Sequence, residues 1–266
     1  MQKVEASNNL LRSILNNLTP EKLQQFGLIG KNIEYSFSRK YFFNKFSNDS
    51  FGNCTYQNFD LQSITDLPEI IATHPNLKGL NVTIPYKESV IPFLDKLSKK
   101  AKQIGAVNVI KFTKNGKLKG YNSDYYGFKK SFKSILQPHH KKALILGTGG
   151  AAKAIAFALD ELQIYYQFVS RVQTDNSVSY QSITQSTFAN FQIIINCTPL
   201  GTSPNTTLFP DLPYEFFTDK HVAFDLIYNP EETLFLQKAK AYGALTKNGY
   251  EMLVFQAEKA WKIWNR

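Results

Sequence analysis

Four clusters of polar side chains lie where predicted strands end or predicted helices begin. They are Ser36-Phe37-Ser38, Asn81-Val82-Thr83 with Lys87 following, Asn108, and Asn122-Ser123-Asp124. Together they supply hydroxyls, amides, one ammonium and one carboxylate, a set that suits a polyhydroxylated, carboxylated small molecule. Each residue alone also fits a structural role, because Ser and Asn cap helices and Asp124 can cap the helix that follows it. The four clusters taken together favour a binding site.

A second candidate site is the glycine-rich turn in ALILGTGGAA, residues 143–152. Gly147, Gly149 and Ala152 fit the pattern G-x-G-x-x-[GA], with an apolar strand before them and a helix after them. The first glycine allows a tight turn, the second lets the backbone approach a pyrophosphate, and the helix N-terminus offers free N–H groups to the phosphates. The turn predicts a dinucleotide site, and the alternative is a glycine turn in another α/β protein.

The end of the next predicted strand bears on which dinucleotide binds. An NAD site places Asp or Glu there to bind the ribose 2′-hydroxyl, whereas this chain has Ser170-Arg171, with Thr174 close by. An arginine can pair bidentately with a 2′-phosphate and stack on the adenine. The sequence therefore favours NADP over NAD, although an ordinary exposed arginine is also common at this position.

The elements that must position these residues alternate between strand and helix. Predicted strands cover 26–30, 54–61, 77–85, 143–146, 165–169, 192–200 and 221–228, and Asn115-Gly116 turns a hairpin within 105–124. Predicted helices cover 7–25, 38–47, 68–74, 87–103 with a break near Pro92, 124–136, 151–162, 232–243 and 250–264. This order predicts two α/β units, with the ligand in a cleft between them at the carboxyl ends of strands.

Composition excludes several classes of protein. The 266 residues are 43% hydrophobic and contain no apolar run of a length that spans a membrane. The net charge of +10 comes from scattered lysines rather than a nucleic-acid motif, and that charge can attract an anionic substrate. Cys54 and Cys197 lie far apart, which is typical of a reduced compartment without disulfides or a metal cluster. With no secretory signal recognisable at the N-terminus, we expect a cytoplasmic protein, monomeric or homodimeric, with no nucleic-acid or membrane partner.

From Phe26 onward the chain resembles the shikimate dehydrogenase family. The matching stretches, in the family's order and spacing, are FGLIGKNIEYSFS, GLNVTIPYKE, GAVNVI, GYNSD, GTGGAAKA, NCTPLGT, DLIYNPEET and NGYEMLVFQA. The resemblance implies an NADP-dependent oxidoreductase that reversibly reduces 3-dehydroshikimate to shikimate, on the route to chorismate and the aromatic amino acids. It implies a substrate-binding catalytic domain made of 1–123 and 249–266, with residues 1–25 as an extension, and a Rossmann-like NADP-binding domain made of 124–248.

The resemblance also assigns roles by position. It makes Lys87 and Asp124 the catalytic pair, and an ammonium beside a carboxylate can donate a proton to a developing alkoxide and stabilise its charge. The substrate-binding residues it implies are Ser36, Ser38, Thr83, Lys87, Asn108, Asp124, Tyr228 and Gln256. The cofactor-binding residues are Gly147, Thr148, Gly149, Gly150, Ala151, Ser170, Arg171, Thr174, Thr198, Ile227 and Gly249. No metal is implied.

Some positions depart from the family pattern. The chain has Ser36-Phe37-Ser38-Arg39 for S-L-S-P, Asn122-Ser123-Asp124-Tyr125 for N-T-D-G, Ser170-Arg171-Val172 for N-R-T, and Gly249-Tyr250-Glu251 for G-L-G. Two alternatives remain at this point. One is a related enzyme, such as a quinate/shikimate dehydrogenase that uses NAD or a methylene-tetrahydrofolate dehydrogenase. The other is an inactive nucleotide-binding regulatory protein, which the retention of Lys87 and Asp124 disfavours.

Overall fold

The computed structural model describes residues 23–34, 36–48 and 53–266, which form two compact α/β units. The first unit takes the chain up to Lys96 and again from Asn108 to Gly120, and the second takes Leu97–Val107 and Tyr121–Arg266. The predicted helix over 7–25 lies outside the described residues, except for its last three positions. Two of those, Gln24 and Gln25, belong instead to the first strand.

The first unit is built on a six-stranded mixed sheet. Its elements are β1 (Gln24–Gly30), α1 (Phe37–Asn48), β2 (Cys54–Asp60), α2 (Leu67–Thr73), β3 (Leu77–Val82), β4 (Lys96–Leu97), β5 (Val109–Phe112) and β6 (Leu118–Tyr121). The strand order is β2-β1-β3-β5-β6-β4; β1 pairs in parallel with β2 and β3, and β3 pairs antiparallel with β5. The predicted Asn115-Gly116 turn connects β5 to β6, and Gly116 adopts φ +71°.

The second unit is a parallel sheet covered by helices. Its elements are α3 (Lys99–Ile104), α4 (Asp124–Phe132), β7 (Lys142–Leu146), α5 (Gly150–Glu161), β8 (Tyr165–Ser170), β9 (Ser177–Ser179), α6 (Gln185–Asn190), β10 (Ile193–Asn196), β11 (Val222–Asp225), α7 (Leu234–Ala241), β12 (Leu245–Lys247) and α8 (Tyr250–Trp264). The strand order is β12-β11-β10-β7-β8-β9. Strand β7 has β8 on one side and β10 on the other, so the order reverses between β7 and β10. In open α/β sheets such a reversal marks the ligand crevice.

The predicted helix over 87–103 is largely wrong. Residues 84–90 form turns, 91–93 a single 3₁₀ turn, and only Lys99–Ile104 form an α-helix. Strand β4 interrupts the segment because it pairs with β6, and the Asp95 carboxylate accepts a hydrogen bond from the backbone N–H of Leu118 at 2.7 Å. Tertiary strand pairing overrides the local helical spacing here.

Several predicted strands and helices end earlier than expected. Strand β3 ends at Val82, before the turn in which the N–H of Tyr86 bonds Thr83 O. Strands β10 and β11 end at Asn196 and Asp225, since each of these side chains accepts a hydrogen bond from the backbone N–H two residues later. Such local bonds compete with the sheet ladder. Helix α4 ends at Phe132 rather than at 136.

The short elements β9, α6 and β12 were not predicted, because three to six residues carry little periodicity. Across the described ranges, no helix combines the length and apolar character needed to cross a membrane.

Candidate active site

In the first unit, the candidate substrate residues gather around the end of β3. The Thr83 N–H bonds the backbone oxygen of Ile29 at 2.9 Å. A Cβ at Gly30 would lie only 2.5 Å from Thr83 Cγ2, so a glycine is needed beside the threonine. Asn108 is 3% exposed, and its backbone oxygen accepts both the Val82 N–H and the Asn81 side-chain amide, at 3.0 and 3.2 Å. Thr83 and Asn108 are therefore held by one hydrogen-bonded strand end.

Lys87 lies half-buried in the turn that follows β3. The turn is fixed on both sides of the lysine, since the Tyr86 hydroxyl donates to Leu61 O at 2.7 Å and the Val90 N–H donates to Tyr86 O at 3.0 Å. These bonds fix the backbone from which the Lys87 side chain extends, and an ammonium group can act in proton transfer.

Ser36 and Ser38 flank the start of α1. The Ser38 N–H bonds the Ser36 hydroxyl at 3.4 Å. The buried Tyr56 is hydrogen-bonded to the Ser38 side chain and donates from its hydroxyl to Asn81 Oδ1 at 2.8 Å. Burial raises the pKa of Tyr56 far above its usual value, so the hydroxyl stays neutral. Asn81 belongs to the predicted clusters, whereas Tyr56 gave no sequence signal, because an aromatic residue in a strand normally indicates core.

In the second unit, Asp124 is the first residue of α4 and is 5% exposed. At this helix start, Asn122 Oδ1 accepts the backbone N–H groups of Asp124 and Tyr125, at 3.0 and 3.3 Å. Asn122 therefore serves as a cap for these two N–H groups, and the alternative that Asp124 also caps the helix stays a prediction. A buried carboxylate at a helix start can take part in chemistry.

Gln256 is brought to the same helix end. It lies on α8 and is 9% exposed, and its Oε1 accepts the Ser123 hydroxyl at 3.3 Å. The two helices approach closely at Gly127, where a Cβ would lie 2.5 Å from Met252 O. Gln256 thus lies in the compact unit of the parallel sheet, whereas the sequence groups its helix with the substrate-binding domain.

The glycine turn has the geometry that a pyrophosphate site requires. Gly147 follows β7 with φ +102°, and its N–H bonds Val169 O at 2.8 Å. Gly149 precedes α5, and a Cβ there would meet no atom within 4 Å, so the backbone is open to a ligand. The first turn of α5 carries Gly150 and Ala151, and Thr148 is exposed beside it. Free N–H groups at the start of this 12-residue helix suit phosphate oxygens.

Because the strand order reverses between β7 and β10, the next candidate residue, Thr198, lies beside this glycine turn. Thr198 follows β10, and its Cγ2 would lie 3.3 Å from a Cβ at Gly147. The side chain of Asn196 holds Thr198, since its Oδ1 accepts the Thr198 N–H at 3.0 Å and the Thr198 hydroxyl at 2.7 Å. Asn196 was not predicted; its signal is a polar residue that ends a fully apolar strand.

Ile227, Tyr228 and Gly249 lie beyond the next strand. The Ile227 N–H bonds the carboxylate of the fully buried Asp225 at 3.0 Å, and Ile227 O accepts the Gly249 N–H at 2.9 Å. A Cβ at Gly249 would collide with Leu226 O, so only glycine fits there. Tyr228 is half-buried. Burial raises the pKa of Asp225 to about 7, against hydrogen bonds from Thr233, Ile227 and Asn196 that lower it.

A hydroxyl cluster stands at the end of β8. The Ser177 hydroxyl lies 2.9 Å from that of Ser170 and 2.8 Å from that of Thr174. Arg171 is exposed between them in the chain. Ser177, which was not predicted, thereby joins the two predicted serine and threonine positions, and the cluster with Arg171 fits a phosphate monoester.

The residues of the second unit thus fit a dinucleotide at the crevice of its sheet. Among the described side chains, no group of three or more His, Cys, Asp or Glu residues is placed to hold a metal ion.

Comparison with known proteins gives the following similarities. Residues 28–110 match the family model of the shikimate dehydrogenase substrate binding domain. A shikimate dehydrogenase (NADP⁺) of Desulforamulus reducens is 36% identical over 91% of this chain and 90% of its own. The structure of shikimate 5-dehydrogenase from Thermus thermophilus in complex with NADP(H) and shikimate has a TM-score of 0.79 at 30% identity, covering 91% and 93% of the two chains. Quinate dehydrogenase from Corynebacterium glutamicum, in complex with NAD, has a TM-score of 0.79 at 25% identity, covering 91% and 93%.

Proposed function

The chain belongs to the shikimate dehydrogenase family, and we propose that it catalyses the reversible NADP-dependent interconversion of 3-dehydroshikimate and shikimate. The observation that carries the proposal is the buried carboxylate of Asp124 at the start of α4, next to Ser123, whose hydroxyl donates to Gln256 Oε1. The relatives named for this activity support the same assignment.

We propose that Lys87 is the acid–base residue. On reduction, its ammonium donates the proton that the developing alkoxide needs and stabilises the negative charge on that oxygen. On oxidation, the neutral amine takes the proton back. Asp124 accepts a hydrogen bond from a ring hydroxyl of the substrate. NADP, when bound, supplies or takes up the hydride.

The remaining substrate contacts follow from the side-chain chemistry. The Ser36 and Ser38 hydroxyls donate hydrogen bonds to the substrate carboxylate, and the short Ser36–Ser38 spacing at the start of α1 lets both reach one group. The ring hydroxyls bind the side chains of Thr83, Asn108, Asp124, Tyr228 and Gln256. Each of these groups can donate or accept one hydrogen bond or more, so a polyol is matched better than an apolar ring.

For the cofactor, we propose that the turn 147–151 binds the pyrophosphate and that Thr198, Ile227 and Gly249 line the nicotinamide side. Arg171, with Ser170 and Thr174, binds the 2′-phosphate. The absence of an acidic side chain at Ser170-Arg171 favours NADP over NAD, because a carboxylate would repel the phosphate.

We also propose that the protein acts in the cytoplasm. Cys54 and Cys197, both within the described ranges, are not joined by a disulfide, and burial raises the pKa of Cys54 to about 11, which fits an unreactive thiol.

An absorbance assay at 340 nm tests the proposal. The purified chain is given shikimate or quinate, each with NADP or NAD. We expect the highest kcat/KM for shikimate with NADP. A preference for quinate with NAD would favour the activity of the Corynebacterium glutamicum relative, and no turnover with any of the four pairs would contradict an enzymatic role.

We further propose that residues 1–123 and 249–266 form the substrate-binding domain and that residues 124–248 form the cofactor-binding domain. We also propose that the protein is a monomer or a homodimer. Light scattering of the purified chain gives the oligomeric state. Limited proteolysis with and without NADP tests the division, because the cofactor should protect sites within 124–248 more strongly than sites within 1–123.

A further inference from the structure

In the second unit, a single buried carboxylate links two loops that are far apart in the sequence. Asp225 is 0% exposed and ends β11, and Asn196, also 0% exposed, ends the neighbouring strand β10. Asn196 Nδ2 donates to Asp225 Oδ1 at 3.1 Å, and the Ile227 N–H donates to the same oxygen at 3.0 Å. The Thr233 hydroxyl donates to the other carboxylate oxygen at 2.6 Å. Three donors thus converge on the two oxygens of one carboxyl group.

We propose that Asp225 is a positioning residue for the cofactor: it holds the loop after β10 and the loop after β11 at fixed places relative to each other. This inference rests on the proposed function, because it takes Thr198 and Ile227 to contact the cofactor. Asp225 itself touches neither substrate nor cofactor in this proposal. It acts through Asn196 on one side and through the Ile227 backbone on the other.

The first route runs through Asn196. Its amide donates to Asp225 and, more weakly, to Leu200 O at 3.4 Å, which fixes the plane of the amide group. That plane sets the place of Oδ1, which accepts both the N–H and the hydroxyl of Thr198. Without the carboxylate, the amide loses the partner that orients it, and Thr198 loses its fixed position beside Gly147.

The second route runs through the backbone after β11. Asp225 Oδ1 fixes the Ile227 N–H, and the carbonyl of Ile227 accepts the Gly249 N–H. Gly249 has no room for a side chain against Leu226 O, so a shift of residues 226–228 carries Gly249 with it. Both routes end at residues proposed for the nicotinamide side of the cofactor.

The hydrogen bonds from Asn196, Ile227 and Thr233 satisfy the buried oxygens of Asp225. A buried carboxylate is costly unless hydrogen bonds satisfy it, and removal of one partner leaves the other buried polar groups unpaired. A hydrophobic residue would fill this position at the end of β11 at lower cost. The carboxylate therefore indicates a demand for positioned donors at the strand end, beyond the needs of the core.

The test uses three variants with matched properties. Asp225→Ala removes both acceptor oxygens. Asp225→Asn keeps one oxygen for Asn196 and Ile227, and its amide can donate to the Thr233 hydroxyl, which is able to accept. Val222→Ala removes buried volume from the same strand without touching the polar network, and serves as the control for lost stability.

Two measurements are made on each variant. The Kd for NADP is measured by titration calorimetry, and amide hydrogen exchange is measured on the ligand-free protein. For Asp225→Ala we expect a Kd about tenfold higher or more and faster exchange within 197–201 and 226–228, with the KM for shikimate within about twofold. For Asp225→Asn and Val222→Ala we expect a Kd within about threefold of the unmodified chain.

Unchanged exchange in both loops of folded Asp225→Ala would overturn the inference, as would a Kd raised equally by Val222→Ala. These outcomes are distinct from failure of the proposed function. A protein that binds NADP but does not oxidise shikimate contradicts the function and leaves the inference to be decided by Kd and exchange. A protein that binds no NADP contradicts both, even where the exchange result agrees.

Discussion

At the scale of single residues, the candidate chemistry depends on which polar groups are already occupied by the fold. Asn122 accepts the backbone N–H groups of Asp124 and Tyr125 at the start of α4. Asn81 and Tyr56 bond each other at 2.8 Å and stand behind the residues proposed to bind substrate. The polar clusters and the family motifs predict the residues that are proposed to contact the ligands. The sequence does not predict Tyr56, Ser177 or Asp225, because a residue that only supports another gives no distinct pattern. Asn196 was missed, although a polar residue that ends an apolar strand was its signal.

Replacement of Lys87 by alanine is expected to lower kcat by roughly 10²–10⁴-fold, the usual contribution of general acid–base catalysis. The KM for shikimate should change much less, because the serines, Asn108 and Gln256 remain. Steady-state kinetics of the variant measure both. Lys78→Ala, an exposed lysine on β3, is the matched control and should retain full activity. Near-normal turnover of Lys87→Ala would show that this ammonium transfers no proton.

Replacement of Arg171 by alanine is expected to raise the KM for NADP by roughly ten- to a hundredfold, since a guanidinium–phosphate pair in an exposed site contributes about 1–3 kcal/mol. The KM for NAD should stay nearly unchanged, because NAD lacks the 2′-phosphate. Added salt should erode the difference between the proteins. Lys141→Ala, directly before β7, provides the control for a lost surface charge. Equal losses with both cofactors would show that Arg171 does not read the phosphate.

At the scale of elements, the sequence predicts those parts whose local signals agree with their tertiary surroundings. The strand, glycine turn and helix at 142–161 and the Asn115-Gly116 hairpin are confirmed, because the turn residues themselves require that geometry. The segment 87–103 was mispredicted since β4 and β6 pair across a sequence separation that no local pattern encodes. The close approach of α4 and α8 at Gly127 was likewise invisible to periodicity.

That approach carries a prediction about Gly127→Ala. Gly to Ala in a helix normally stabilises it by about 1 kcal/mol. Here the added Cβ would lie 2.5 Å from Met252 O and 3.0 Å from Gln256 Cβ, so α4 and α8 must separate. We expect a lower melting temperature and a higher KM for shikimate, with kcat less affected. Calorimetry and kinetics are the measurements, and Lys133→Ala at the exposed end of α4 is the control. A more stable variant would contradict the close packing.

At the scale of the whole molecule, the two compact units differ in how the chain builds them. The first holds a mixed sheet, the second a parallel sheet with apolar clusters on its faces. The sequence correctly predicts two α/β units from the order of strands and helices. The boundaries between the two compact units, at 96–97, 107–108 and 120–121, were not predicted. No local pattern in the sequences of α3 and α8 indicates that these helices pack in the second unit.

The stability of the molecule should depend on pH through His140. Burial, aided by the neighbouring His139 and His221, lowers the pKa of His140 below its ordinary value of 6.5. Its Nδ1 accepts the Gln137 N–H at 3.1 Å, and a proton there would remove that acceptor. Because the folded-state pKa is lowered, the stabilisation is complete above pH 6.5 and is lost as the pH falls below that value.

Melting temperatures between pH 5 and 7.5 test this dependence. His140→Gln should flatten the acid side of the profile relative to the unmodified chain. A difference of about 2–4 °C corresponds to roughly 1 kcal/mol in a chain of this length. His74→Gln, which changes a histidine outside the 139–140 and 221 group, should keep the original profile. Parallel profiles for all three proteins would show that His140 does not contribute.

The interleaved course of the chain has a consequence for biosynthesis on the ribosome. Helix α3 is synthesised early, but the partner of Lys100 lies 61 residues further along the chain, because Lys100 Nζ donates to Glu161 Oε1 at 2.7 Å. The first unit is likewise incomplete until the chain returns to it through Asn108–Gly120. When about 110 residues have been synthesised, neither compact unit is complete. The exposed strand edges must then be shielded, by the ribosomal exit tunnel or by a chaperone, until the remaining segments of both units have been synthesised.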